Sequence, residues 1–240
     1  MKAVILAAGE GQRMRPLTLK TPKPLLKVNG KAVIDYILES FPPEIDEIII
    51  VIRYLGVMIK KHLGISYHGV KIRYISSRTK GTGPDFMTTK KYLSDERFLF
   101  IYGDEIPNPA DIKNCLKKDL SILIFKPKNP SACGMAYLRK NGTIKKIIEK
   151  PKRTTSRLAV DGVMVLNTDI YKRKPALTKG EYYFSSMVDL FVRDHKVFPV
   201  RSKNFIGDFT TPADLVRVEK ALIFPHFREQ RHGCSRLEFP

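Results

Sequence analysis

Cysteine is scarce: Cys115, Cys133 and Cys234 are odd in number, widely spaced and never in a C-x-x-C pair. They suggest neither a disulfide framework nor a zinc site, and a reducing cytoplasm is the expected compartment. Long apolar runs are missing too. The unbroken ones, residues 3–8 and 48–52 among them, fall far short of the roughly 20 residues of a membrane span. The stretch 3–8 behind Met1-Lys2 is too short for a secretory core and lacks a cleavage-site pattern. Repeats, low-complexity segments and any Pro/Gly/Ser linker long enough to divide the chain are absent. Acidic residues are few beside basic ones: Asp+Glu number 24 against 43 Lys+Arg, a net charge of +19. Such a field attracts polyanions, whether nucleic acid, an anionic membrane surface or phosphorylated small molecules. It equally describes a soluble Lys-rich surface, so charge alone does not choose. Neither a helix-turn-helix signature nor an RNP-type aromatic strand supports specific nucleic-acid binding.

What is present alternates. Residues 2–6 (KAVIL) are an apolar run ending in Ala-Ala-Gly, which suits a buried parallel strand feeding a glycine loop. A helix is predicted over 31–41 from Val33, Ile34, Ile37, Leu38 and Phe41, closed by Pro42-Pro43. Strands follow at 47–52, 70–75 and 98–102, with helices over 57–63 and 85–93 between them. This order predicts an α/β fold, a Rossmann-like mixed and mostly parallel sheet flanked by helices. Ligands of such sheets sit beyond the carboxyl ends of the strands, where Gly9 and Gly103-Asp104 both fall. The second half reads as strands at 120–125, 135–139, 145–149, 160–166 and 196–200, with a helix over 185–192. Residues 1–222 form the expected domain; residues 223–240 read as a basic tail or docking arm.

The most informative stretch is Leu6-Ala7-Ala8-Gly9-Glu10-Gly11-Gln12-Arg13-Met14-Arg15-Pro16-Leu17-Thr18, with Thr21-Pro22-Lys23-Pro24-Leu25 behind it. Two glycines directly after a strand let backbone N–H groups approach phosphate oxygens. Arg13, Arg15 and Lys23 add positive charge around a polyphosphate. The Walker A pattern is absent, and the dinucleotide pattern fails because Met14 stands where its third glycine belongs. What remains is G-x-G-x-R-x-R-P-L-T followed by P-K-P.

This segment resembles the loop of the nucleotide-sugar pyrophosphorylases, or sugar-1-phosphate nucleotidylyltransferases. The resemblance implies that Ala8, Gly9 and Gly11 wrap the NTP phosphates, while Arg13 and Lys23 act on the departing pyrophosphate. It continues in order along residues 1–222. Gly81-Thr82-Gly83 is similar to the segment that meets nucleoside base and ribose. Gly103-Asp104 and Gly207-Asp208-Phe209-Thr210-Thr211-Pro212 resemble the segments whose aspartates, here Asp104 and Asp208, hold Mg²⁺. Glu149-Lys150-Pro151 resembles the element that meets the sugar and its phosphate, with Gly134 and Gly162 lining the sugar pocket. Gly180-Glu181-Tyr182-Tyr183 also matches a family segment, without an assigned chemistry.

The reaction so implied is Mg²⁺-dependent transfer of a nucleotidyl group from an NTP to a sugar-1-phosphate. A phosphocholine-type acceptor and a catalytically weakened NTP-binding regulator are the alternatives. Charge neutralisation and positioning dominate such chemistry, and no histidine falls in the motifs. The chain departs from the pattern in four places. Ser76 stands where many relatives read the base with glutamine, Lys80 replaces a leucine, and Pro84-Asp85-Phe86 replaces small residues. Phe184-Ser185-Ser186-Met187 also lacks the usual Thr-Asp. The length leaves no room for an appended acyltransferase β-helix, so a single activity is expected. Many relatives form oligomers, so a homo-oligomer is compatible with the resemblance.

Overall fold

Side chains of β1 (Lys2–Ala7) alternate between two buried layers: Ala3, Ile5 and Ala7 enter one, Val4 and Leu6 the other. A strand apolar on both faces needs a cover on each. In the computed structural model, which describes residues 1–94, 96–178, 180–202 and 210–223, helices supply both covers.

After β1 come a small hairpin of β2 (Lys27–Val28) and β3 (Lys31–Ala32), then α1 (Val33–Glu39), β4 (Glu47–Ile52) and α2 (Gly56–Leu63). β5 (Ser66–Tyr67), β6 (Val70–Ser76), α3 (Thr82–Met87) and β7 (Arg97–Tyr102) complete the first half. The second half contains α4 (Pro109–Leu116), β8 (Ser121–Phe125), β9 (Gly134–Leu138), β10 (Ile144–Glu149) and β11 (Ala159–Asn167). It ends with β12 (Leu177–Thr178), β13 (Glu181–Tyr182), α5 (Phe184–Asp194), β14 (Phe198–Arg201) and α6 (Pro212–Ile223).

The predicted α/β architecture is the one observed. Among the described residues one sheet runs β10-β9-β11-β7-β1-β4-β6-β5, with β8 paired to β11 and β14. β6, β4, β1 and β7 are parallel neighbours, and β11 joins β7 antiparallel. Residues of α1, α2, α4 and α6 pack in one apolar layer; those of α3 and α5 pack in the other. No described helix is long and apolar enough to cross a membrane.

Two helix boundaries differ from expectation, each for a local reason. Lys31 and Ala32 pair with Val28 and Lys27 in the hairpin, so α1 starts at Val33 rather than 31. The helix expected over 85–93 starts at Thr82 and ends at Met87, with a short 3₁₀ turn at Lys90–Tyr92. The unpredicted α4 is capped by Asn108, whose side chain accepts from the Ala110 N–H at 2.9 Å, with Pro109 at its first position.

Register decides where the loops emerge. Ala7 lies opposite Ile52, Ile52 opposite Ser76, and Leu6 opposite Tyr102. The four segments that follow these strands therefore leave the sheet at one edge. α3 is anchored there by Phe86, which is fully buried, stacks on Tyr171 at 4.9 Å and packs at a tilt on Phe184 at 4.4 Å between ring centres. Phe86→Ala is expected to cost about 3–5 kcal/mol, read by denaturant unfolding, because the aromatic cluster cannot close over the void.

Candidate active site

The loop after β1 is shaped by one residue in the left-handed region. Gly11 has φ 61° and turns the chain into the 3₁₀ segment Gln12–Met14, whose Met14 plugs into the core. The Gly11 carbonyl accepts from the Met14 N–H and from the buried Thr18 hydroxyl, both at 2.8 Å. Gly9 has open space where a side chain would stand, so its backbone faces the cavity. Arg13 is exposed beside it.

Lys23 sits in a second 3₁₀ turn, Lys23–Leu25, and is buried with its Cβ under Gly11. Its Nζ donates to Asp104 Oδ2 at 2.5 Å. Asp104 is held by Gly103, whose N–H donates to the Leu6 carbonyl at 2.8 Å, one step beyond the β1–β7 ladder. A Cβ at Gly103 would stand 2.9 Å from that carbonyl, so the close approach requires glycine.

The facing wall is Gly81-Thr82 at the start of α3. Gly81 has φ 103°, and a Cβ there would meet the Tyr182 carbonyl at 2.7 Å. The Phe184 N–H donates to Thr82 Oγ1 at 2.9 Å, so this loop satisfies an orphan donor at the start of α5. The segment 180–183, given no chemistry from sequence, thus braces the loop, and Gly180, Glu181 and Tyr182 line the cavity. Gly81→Ala combines a disfavoured φ with a backbone clash. We expect it to lower stability by about 1–3 kcal/mol, seen by thermal unfolding.

Ala8, Gly9, Gly11, Arg13, Lys23, Gly81, Thr82 and Asp104 all border this one cavity of about 870 Å³. The remaining predicted residues form a neighbouring group. A Cβ on Gly134 would stand 3.1 Å from Glu149 Oε2, and Lys150 Nζ lies 3.6 Å from Glu149 Oε1. Lys150 Nζ also lies 5.0 Å from the centre of the Tyr183 ring. At Gly162 the absent side chain lets the Glu105 carboxylate and the Tyr102 ring pack on the backbone. Tyr102 joins the two groups: its ring borders the cavity and Gly162. Burial first, then Glu105, Glu149, Asp104 and Glu181, push its hydroxyl pKa well up. Asp208 lies outside the described residues, as does the 224–240 tail. Thr210, just beyond Asp208, borders the cavity.

Motif reading missed Arg53, Glu10 and Asp85, all on the cavity wall. Glu10 lies 3.5 Å from Arg53 and 3.8 Å from Arg15. A Gln12 hydrogen bond, with Arg53, Lys80 and Arg15 beyond it, holds its carboxyl below the usual value despite desolvation. Arg53 directly follows β4, so the strand-end rule alone could have found it. The cavity's cations, Arg13, Lys23, Arg53 and Lys80, stand against Glu10, Asp85, Asp104 and Glu181. The chain's basic surplus therefore lies elsewhere.

A glycine loop, a buried lysine and an exposed carboxylate at the carboxyl edge of parallel strands define an α/β protein suited to polyphosphate ligands. Residues 2–213 match the family described as nucleotidyl transferase, and the chain belongs to that family. It is 29% identical over 229 residues to the bifunctional protein GlmU of Methanocaldococcus jannaschii, covering 93% of this chain and 54% of that one. It therefore spans about half the length of that relative. It is 28% identical over 236 residues to the UTP–glucose-1-phosphate uridylyltransferase AglF of Haloferax volcanii, covering 92% and 96%. The fold matches a solved apo UDP-glucose pyrophosphorylase with a TM-score of 0.78 at 19% identity, covering 96% and 99%.

Proposed function

We propose that the protein transfers a nucleotidyl group from an NTP to a sugar-1-phosphate, releasing pyrophosphate. The observation that carries this reading is the convergence of Gly9, Gly11, Arg13, Lys23, Gly81, Thr82 and Asp104 on one cavity. A phosphate oxygen of the sugar phosphate attacks the α-phosphorus. That P–O bond forms as the bond to the β-phosphate bridging oxygen breaks, and the electron pair leaves on pyrophosphate. Loop N–H groups around Gly9 and Gly11 orient the triphosphate. Arg13 and Lys23 neutralise the leaving group, the main protein contribution in such a transfer. The similarity to AglF supports a sugar phosphate as acceptor, with Glu149 and Lys150 the residues to meet it.

Asp104 suits a hard cation: its side chain is 40% exposed, borders the cavity and stands beside the phosphate loop. Mg²⁺ held there would neutralise phosphate charge, and Asp208 is the second ligand we assign. Pyrophosphate release tests the reading across five NTPs and four hexose-1-phosphates, with and without Mg²⁺. Release that requires one NTP, one sugar phosphate and the metal is the expected result. No release from any pair, with nucleotide still bound, would favour a non-catalytic nucleotide-binding role.

A further inference from the structure

One wall of the cavity carries a carboxylate that phosphate chemistry does not use. Asp85 lies on α3, is only 4% exposed, and borders the cavity beside Lys80, Gly81 and Thr82. Its Oδ1 accepts from Ser77 Oγ at 2.5 Å and Thr79 Oγ1 at 3.1 Å, which occupies both lone pairs of that oxygen. Among the described residues nothing donates to Oδ2. Arg53 comes from the adjacent strand end, its charge acts on Asp85, and its buried Nε has no hydrogen-bond partner among the described residues. An acceptor and a donor thus border the same cavity, and Arg53 also stands 3.5 Å from Glu10 of the glycine loop.

With a triphosphate seated on the Gly9–Gly11 loop, the wall formed by Lys80, Gly81, Thr82 and Asp85 is the one left for the nucleoside. We propose that Asp85 selects the nucleobase and that the base it selects is guanine, an assignment resting on the nucleotidyl-transfer reading. A carboxylate only accepts. Guanine presents N1–H and the N2 amino group side by side, with the O6 acceptor next to them for Arg53. Uracil and thymine offer one N–H flanked by two carbonyl oxygens. Adenine and cytosine set an amino group beside a ring nitrogen lone pair, so each of these four bases turns a lone pair toward the carboxylate. Burial, the largest influence, raises the pKa of Asp85 above the usual carboxylate value, and Ser77, Thr79 and Arg53 offset it only in part. Base N–H groups on Oδ2 would favour the charged form.

The test measures binding of GTP and UTP by calorimetry, and kcat/KM for all five NTPs, with the wild type and Asp85→Asn. The wild type is expected to favour GTP. Asp85→Asn should weaken GTP roughly 10- to 100-fold and UTP far less, narrowing their ratio. An equal loss for every NTP, or a GTP:UTP ratio unmoved by the substitution, overturns the base assignment and leaves nucleotidyl transfer standing. Failure of the wild type to bind any NTP overturns both. Should Asp85→Asn unfold, Arg53→Gln at the cavity rim gives the same comparison through the O6 contact.

Discussion

A Lys23→Met enzyme is expected to fold normally and to lose about 10²- to 10³-fold in kcat, the scale for removing one preorganised charge from a transferring phosphoryl group. Lys23 has little freedom. Pro22 and Pro24 flank it, its stem lies under Gly11, and its ammonium is directed at the cavity where Asp104 stands. Methionine keeps the apolar stem and removes only the charge. Stability should change little, because the Asp104 side chain is 40% exposed and water can take over its solvation. Arginine is not expected to rescue: its planar head is larger than the buried site and presents its donors differently. Steady-state kinetics and a thermal midpoint separate the two effects. An unchanged kcat in Lys23→Met would remove Lys23 from the chemistry.

Much of this site was legible because most strands leading into it are buried on both faces. β1, β4 and β7 are short apolar runs and β6 alternates, and the loops after β1, β6 and β7 carry the G-x-G, P-K-P, G-T-G and G-D letters. Local composition specifies such elements almost alone. α4 went unread although Asn108-Pro109 is a recognisable helix start. α3 went misplaced because Gly81 and Gly83 look like a turn. Their lack of side chains instead admits Pro175 and Tyr182: a Cβ at Gly83 would stand 2.4 Å from Pro175. Asp85 and the 180–182 brace were illegible for a different reason. Each meets the site only through strand register, which joins residues 10, 53, 85 and 181 across four loops. No short window of sequence contains that information.

Asp104→Asn is the second large effect, and it differs from Lys23→Met in kind. On the proposed reading Asp104 both offers oxygens to Mg²⁺ and holds the Lys23 ammonium at 2.5 Å. Asparagine keeps the shape and removes the negative charge, so kcat at limiting Mg²⁺ should fall by about 10²-fold or more. The Mg²⁺ concentration for half-maximal rate should rise, and excess metal should restore part of the activity. Lys23→Met has no such signature: its loss should persist at every metal concentration. The double substitution then separates contact from chemistry. Because the two side chains touch, their losses should fall short of additive, with a coupling of about 0.5–3 kcal/mol. An Asp104→Asn enzyme with the wild-type Mg²⁺ dependence would leave Asp104 only as the partner that positions Lys23. Losses that multiply fully would mean the ion pair itself contributes nothing to catalysis.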